Sequence, residues 1–519
     1  MNQGLMSVPA SGTDPPVRVL IVTPEVAVLP EGLSLGAECC RASPGNLAYA
    51  LAHLVAALRA HGLDVHVALP NYRGLFQQYR TAPGGILDFS RQFKSPCSRV
   101  HLAEDRIFYY QSPSAYYHGW ERKPLALAFQ REVINDIIPR VNPDLVHCHD
   151  WMTGVIPPML RQTGIPSVFT LHNAATLKVS MADMEDRGID AAAFWNQLYF
   201  DRYPLDYAES RESNPVDLLA TGIFGAQRVT AAHPRLVDQI TAGQRAPTAL
   251  GQRPRLNQAL TRAWSAKAQN GTALGLSHEA QPRFNPASDP ALFRRYSAPL
   301  HGPAKQFNKL FIQEKLGLTM DSQAPLFFWS TPIEALEAHC APLVKILQRL
   351  LIGFQDENAQ FLLVSEGPHK SRFESLLGRP SFNGRVALGG AREVFIRQAC
   401  AGADFVLAKF LGATGGLPEK IGPLYGALPV VFSRESASDW MAPFAAAQDR
   451  GNGFLVDTVA PAGILKAVEA AMDFYRLPRE VKGAQIERIM EEAAARQDGR
   501  AVVSAYMTLY DQLLARSLN

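Results

Sequence analysis

The segment that most constrains this chain's fold runs from Val17 to Pro70. VRVLIVT (Val17–Thr23) is a continuous apolar run, as expected of a strand buried on both faces. In NLAYALAHLVAALRAH (Asn46–His61), Leu47, Leu51, Leu54, Val55 and Leu58 fall on one helical stripe, and Gly62 stops the helix. DVHVALP (Asp64–Pro70) returns as a strand. Strand, helix and strand in this order predict a parallel sheet with a right-handed crossover. Two further strands are expected at Asp144–Cys148 and Ser167–Leu171, with a helix over Val155–Arg161.

A second α/β run begins near Pro325. Strands are expected at Leu326–Trp329, Phe361–Val364, Arg385–Leu388, Asp404–Leu407 and Leu428–Phe432. Helices are expected at Ala341–Ile352 and Ala462–Phe474, and again from Glu480 to the end. The 519 residues are 47% hydrophobic, enough for more than one core. The expected division is a disordered leader over 1–16, one α/β domain over 17–300, a second over 301–485, and C-terminal helices over 486–519 that return to the first domain. Ligands of two facing doubly wound domains bind in the cleft, off the carboxyl ends of the strands.

Composition narrows the function. The 51 basic and 48 acidic residues leave a formal charge of +3, which argues against a nucleic-acid binder. Cys39, Cys40, Cys97, Cys148, Cys340 and Cys400 form no CxxC pair, so no disulfide framework is expected and a cytoplasmic location fits. Residues 1–16 have no basic head followed by an apolar core, and no apolar run approaches the ~18 residues of a membrane span. Between Gln239 and His278 there is no acidic residue, but there are five basic ones: Arg245, Arg253, Arg255, Arg262 and Lys267. That stretch reads either as a solvated insertion or as an anion-binding loop.

Several segments, in order, resemble the family-five glycosyltransferases, the bacterial glycogen and starch synthases. They are PDLVHCHDWMTGVIPPML (Pro143–Leu160), GIPSVFTLHN (Gly164–Asn173), DLLATGIFGAQRVTAAHP (Asp217–Pro234), FNPASDPALFRRYSA (Phe284–Ala298), NKLFIQEKLGL (Asn308–Leu318), LYGALPVV (Leu424–Val431) and NGFLVD (Asn452–Asp457). The resemblance covers about residues 17–515. It implies an α/β GT-B fold, two facing doubly wound Rossmann-like domains with a C-terminal helix crossing back. It also implies glucosyl transfer from ADP-glucose, or another sugar nucleotide, to an α-1,4-glucan with retention. No cofactor is implied. Cleavage of the donor builds negative charge on the diphosphate, so cations and backbone N–H groups are required there.

The chain departs from the family at those positions. Where the family carries Lys-x-Gly-Gly-Leu, this sequence has Ser43-Pro44-Gly45-Asn46-Leu47. The family's donor-site arginine and lysine fall at Pro332 and Ala338. The glutamate beside the transferred sugar falls at Ala413, within Phe410–Leu417. A charge-assisted hydrogen bond contributes about 1.5–3 kcal/mol. Two lost cations therefore remove roughly 3–6 kcal/mol, on the order of 10²- to 10⁴-fold in transition-state stabilisation.

The resemblance implies a catalytic role for His149, at the sugar, and Glu419, two residues after Leu417 where the family usually has glutamine, is the second catalytic candidate as a carboxylate restored at a different place. Substrate-binding candidates are Gly45, Asp150, Trp151, Asn173, Gly415, Gly416 and Asp439. Asp150 also reads as the cap of the following helix. His147, Cys148, His149 and Asp150 alternate along a strand and are not expected to converge on a metal. Lys409 and Lys420 read as surface charges. Arg41, Arg434 and the basic run are the available replacements for the lost phosphate ligands. The sequence leaves three readings: a divergent glucosyltransferase, a non-catalytic glucan- or protein-binding regulator, and a transferase with a changed donor.

Overall fold

The computed structural model describes residues 16–26, 46–72, 98–109, 111, 122–244, 255–276, 278, 284–329, 340–364, 383–390, 392–407, 417–431, 441–445, 449–455, 461–496 and 499–517. The first apolar run forms β1 (Arg18–Val22), the striped segment forms α1 (Asn46–Ala60), and Asp64–Pro70 forms β2. Gly62 takes φ +90°, a left-handed conformation that ends the helix. β3 (Val100–Ala103), β4 (Leu145–His149) and β5 (Ser167–Leu171) follow. A short antiparallel ribbon, β6 (Lys178–Val179) with β7 (Val216–Asp217), precedes β8 (Arg228–Ala231) and β9 (Ala273–Gly275).

The first sheet has the order β3-β2-β1-β4-β5-β8-β9, and every pairing in it is parallel. The order reverses between β1 and β4, where Val22 pairs with Cys148. At such a switch point the connections leave in opposite directions and open a crevice at the carboxyl ends. Alternation along the strands sorts the side chains. Val19, Ile21, Leu145 and Val168 pack on the α1 side, while Leu20, Val22, Val146, Cys148 and Phe169 face the opposite helical layer.

The second sheet, again wholly parallel, has the order β12-β11-β10-β13-β14-β15. Its strands are β10 (Leu326–Trp329), β11 (Gln360–Val364), β12 (Val386–Gly389), β13 (Phe405–Leu407), β14 (Leu428–Val431) and β15 (Phe454–Leu455). The first five lie within one residue of the expected segments, and β15 was not expected. Trp329 is buried with Phe327, Phe361 and Phe405 on one face.

Two long helices finish the chain, α2 (Arg479–Arg496) and α3 (Arg500–Ser517). The second crosses back to the first sheet. Its Val503, Tyr506, Leu509, Tyr510 and Leu513 join the core that holds Val19, Leu51 and Leu145. Spacings of three and four residues put these side chains on one face of the helix. The segment between the two sheets is anchored to the second: Asp289 accepts from Tyr425 Oη at 2.6 Å and from Arg397 at 2.8 Å.

Candidate functional site

The carboxyl ends of four adjacent strands, β4, β5, β8 and β9, carry a cluster of polar side chains. His147 and His149 lie two residues apart on β4 and so share one face, with ring centroids 4.1 Å apart. Cys148, between them, goes to the opposite core. His172 follows β5, and its Nε2 lies 3.1 Å from His149 Nδ1. His278 follows β9, with its ring 5.4 Å from that of His172. Thr170 and Thr230 complete the row, paired in register on β5 and β8.

The returning helix α3 closes the floor. Tyr510 Oη meets His147 Nδ1 at 2.7 Å, and Thr170 Oγ1 meets His147 Nε2 at 2.6 Å. Tyr506 Oη reaches His278 Nε2 at 2.8 Å, Thr230 Oγ1 at 3.0 Å and Thr170 Oγ1 at 3.2 Å. These polar groups of the floor therefore satisfy one another. His149 Nε2 is the exception: it is buried and has no hydrogen-bond partner. Such an atom carries a desolvation penalty of about 1–3 kcal/mol until an acceptor or donor meets it.

Burial holds His147, His149 and His172 well below the usual imidazole range. Neighbouring histidines add to the effect. His278 is pushed down to about 3 by burial, then by His53 of α1 and by Lys420. Lys420 also depresses His172. It lies on the short helix Leu417–Ile421 that follows the second sheet's β13, so the second sheet's carboxyl ends face the histidines. Among the described residues, no group of three or more His, Cys, Asp and Glu is arranged to hold a metal ion.

Several sequence expectations meet the geometry differently. Asp150 does not cap the next helix. Its backbone takes φ 60° and ψ 176°, and no side-chain cap bond forms. Its carboxylate instead accepts from the backbone N–H of His172 at 2.8 Å and from Asn173 Nδ2 at 3.3 Å, tying together the ends of β4 and β5. Asn173 is half-buried, and its Oδ1 accepts from the Ala175 N–H in a local turn. Trp151 turns away from the histidines into the core, 2% exposed, with the Arg122 guanidinium 5.1 Å from its ring centre.

Glu419 is fully enclosed, and its charge acts on the buried Cys400 thiol. The neighbouring Lys420, expected as a surface charge, is the residue whose charge reaches the first domain. Gly45, Gly415, Gly416 and Asp439 lie outside the described residues. So do Ser43, Pro332, Ala338, Ala413, Arg41, Arg434 and the whole 245–254 stretch. From the basic run, Lys267 donates to the Ala226 carbonyl at 2.5 Å. A separate cavity of about 830 Å³ lies where the inter-sheet segment meets α2, beside Phe284, Asn285, Met490 and Arg500. It contains none of the histidines.

His53, His278, Tyr506 and Tyr510 were not singled out from the sequence. The tyrosine pair carried a signal, two hydroxyls at i and i+4 on a C-terminal helix. His278 carried none, because only the placement of β9 brings it to β4.

Comparisons with known proteins agree with this architecture. A family model described as "Starch synthase catalytic domain" matches residues 33–251. The glycogen synthase of Geobacillus stearothermophilus is 25% identical over 509 residues, spanning 92% of this chain and 97% of its own. That of Exiguobacterium sibiricum is 25% identical over 506 residues, spanning 91% of this chain and 96% of its own. Among solved structures, the catalytic domain of starch synthase IV from Arabidopsis thaliana, bound to ADP and acarbose, matches with a TM-score of 0.70 at 19% identity. That match covers 96% of this chain and 100% of the plant domain. Sucrose-phosphate synthase from Thermosynechococcus elongatus matches with a TM-score of 0.53 at 13% identity.

Two parallel doubly wound sheets, facing carboxyl ends and a returning C-terminal helix define the GT-B class of glycosyltransferase folds. Within that class the chain is similar to the glycogen and starch synthases, glycosyltransferase family five.

Proposed function

We propose that this glycogen/starch synthase homologue keeps a sugar-binding pocket at His149 but transfers glucose from ADP-glucose to an α-glucan weakly or not at all. The observation that carries the reading is a contrast within one site. His149 stands at the switch point with a buried, unpartnered Nε2. Meanwhile the residues expected on the donor diphosphate and sugar are Ser43, Pro332, Ala338 and Ala413. None of these four side chains supplies a cation or a carboxylate. One such replacement is compatible with compensation elsewhere, whereas four around one ligand point to a changed use of that ligand.

An α-glucan remains the expected neutral partner, by analogy with the relatives. A sugar nucleotide is expected to bind weakly. Two other outcomes stay linked to this reading. A changed donor is favoured by Lys420, whose charge reaches the histidines. A non-catalytic, glucan- or protein-binding role in glycogen metabolism follows if no donor is used. A cytoplasmic setting is part of the proposal and rests on the six cysteines without a CxxC pair.

The test is incorporation of labelled glucose from ADP-glucose into glycogen by the purified, folded protein. Transfer at or near the blank is expected. Transfer well above the blank, and lost in His149→Ala, would overturn the loss of synthase activity.

A further inference from the structure

The two most exposed large apolar side chains among the described residues sit on one turn. Tyr203 is 88% exposed and Leu205 is 78% exposed, on either side of Pro204. A single exposed apolar side chain is ordinary, but this pair stands on a turn braced at both ends. On one side the buried Asn214 grips Arg202 twice. Its Oδ1 accepts from the Arg202 N–H at 3.0 Å, and its Nδ2 donates to the Arg202 carbonyl at 2.9 Å. On the other side Asp206 caps the helix Tyr207–Ser213 and accepts from the Glu209 N–H at 2.8 Å. Pro204 fixes one more backbone angle. The turn is a rigid knob, and a rigid knob gives up little conformational freedom when it docks.

The second domain presents a face of matching character. On the helix His301–Leu316, Phe307 and Phe311 lie four residues apart and share one side. Phe293 stacks on Phe311, with ring centroids 5.1 Å apart. It is held there because Asn308 bonds the next residue from both sides: the Arg294 N–H donates to Asn308 Oδ1 at 3.0 Å, and Asn308 Nδ2 donates to the Arg294 carbonyl at 2.8 Å. Phe293 is 62% exposed and Phe307 is 52% exposed, and the exposed Leu300 extends the stripe by a further two turns.

The two surfaces carry opposite charge. Residues 201–212 hold four acids, Asp201, Asp206, Glu209 and Glu212, against two bases, Arg202 and Arg211. Around the phenylalanines the exposed charges are Arg294, Arg295 and Lys315 against Glu314. Lys305 and Lys309 of the same helix are buried and engaged with the Ala403 carbonyl and with Asp404. Both apolar surfaces are exposed in a single chain, so a contact between them needs two copies. Their areas also match. Each leaves roughly 300 Å² uncovered, given the 150–250 Å² that one large aromatic side chain can bury. That is less than half of the ~800 Å² per partner of a stable interface, so the contact is weak and concentration-dependent.

We propose that this chain self-associates head to tail, with the Tyr203–Leu205 knob of one copy docked on the Phe293–Phe307 face of the next. The two surfaces differ, so the contact is heterologous. Repeated, it gives a ring or an open filament and not a two-fold dimer. The opposite charges steer the encounter and set its direction. The inference goes beyond the proposed function and is independent of any donor or activity.

Sedimentation velocity of the full chain tests it. At about 50 mM salt, where screening is weak, the sedimentation coefficient should rise between about 1 and 200 µM protein, and about 500 mM salt should weaken association about tenfold or more. Leu205→Ser and Phe307→Ser should each stay monomeric with a cooperative melt, and Phe293→Ser repeats the second test if Phe307→Ser unfolds early. Each variant keeps one of the two surfaces. Mixed in equal amounts, they should form a dimer that grows no further, because one intact knob meets one intact face. Arg294→Glu should weaken association of the otherwise unchanged chain about threefold or more at low salt and leave it unchanged at high salt. A parent protein that stays monomeric throughout overturns the proposal. So does association that survives either serine substitution, or a mixture of the two variants that stays monomeric. Maltoheptaose binding that is lost in Tyr203→Ala, by a parent protein that stays monomeric, would overturn it and assign the turn to a glucan.

Discussion

The Tyr510 hydroxyl lies 2.7 Å from His147 Nδ1 and joins residues 363 positions apart in the chain. With Thr170 on the other ring nitrogen, it fixes the orientation of His147, and the His147 ring in turn lies against that of His149. Tyr506 does the same for His278. The helix at the end of the chain thus acts as the back wall of a pocket whose other walls come from the first half.

Tyr510→Phe leaves a buried imidazole nitrogen unmet and should destabilise the folded chain by about 1–3 kcal/mol. Tyr506→Phe removes contacts to three partners and should destabilise by at least as much. Urea unfolding measures both. An unchanged midpoint in both variants would mean that the hydroxyls do not hold the histidines.

The cluster makes stability pH-dependent, with a definite sign. His278 has a folded pKa of about 3, and an unfolded imidazole titrates near 6.5. Between those values the unfolded chain binds a proton that the folded chain refuses, so stability falls as pH drops below about 6.5. His147, His149 and His172 shift in the same direction and steepen the loss. Each such group contributes up to about 1.4 kcal/mol per pH unit within its window. His278→Gln should reduce the slope of unfolding free energy against pH by about that amount, read from urea midpoints between about pH 5 and 7.

Asp150 sits at φ 60° and ψ 176°, a conformation that strains a residue with a side chain by about 1–3 kcal/mol. It persists because its backbone and carboxylate are held on several sides: its N–H donates to Thr170 O, and its carbonyl accepts from Thr153 Oγ1. Asp150→Ala keeps the strain and loses the carboxylate bonds, whereas Asp150→Gly loses the bonds but relieves the strain. The glycine variant should therefore be the more stable of the two, the reverse of the usual order. Thermal melts of the pair decide it.

Gly154 follows the same turn, and a Cβ there would stand 1.9 Å from the Leu218 carbonyl oxygen. Backbone cannot swing aside as a side chain can. Gly154→Ala should destabilise by about 2 kcal/mol or more, since overpacking a tight contact costs about 1–3 kcal/mol. A melt matching the parent protein would show that the β4–helix turn is looser than its geometry.

The legible strands are short apolar runs buried on both faces, as in Asp64–Pro70 and Ser167–Leu171, whose bounds match the observed strands, whereas the shorter β3, β8, β9 and β15 were not expected. The position of His149 and Asp150 at a strand end was legible through the His-Asp-Trp stretch, although the bonding of Asp150 was not. Its carboxylate bridges β4 and β5, a relation set by strand register and absent from local sequence. Trp151 was misplaced for a similar reason: a bulky ring beside a site residue faces whichever side the turn dictates, and here that is the core. His278 was hidden because only the sheet order brings the end of β9 beside His172 at the end of β5.

Because the back wall of this pocket lies 363 positions beyond its floor in the chain, the pocket's assembly is ordered in time. At about 5–20 residues per second, the 363 positions separating His147 from Tyr510 take roughly 20–70 s to translate. Through that interval the first sheet can form, but His147 has no Tyr510 and the row of threonines has no Tyr506. A nascent chain released early therefore carries an intact sheet with an open, unsatisfied histidine floor. Ligand competence therefore waits for Tyr506 and Tyr510, long after the strands they complete have been made.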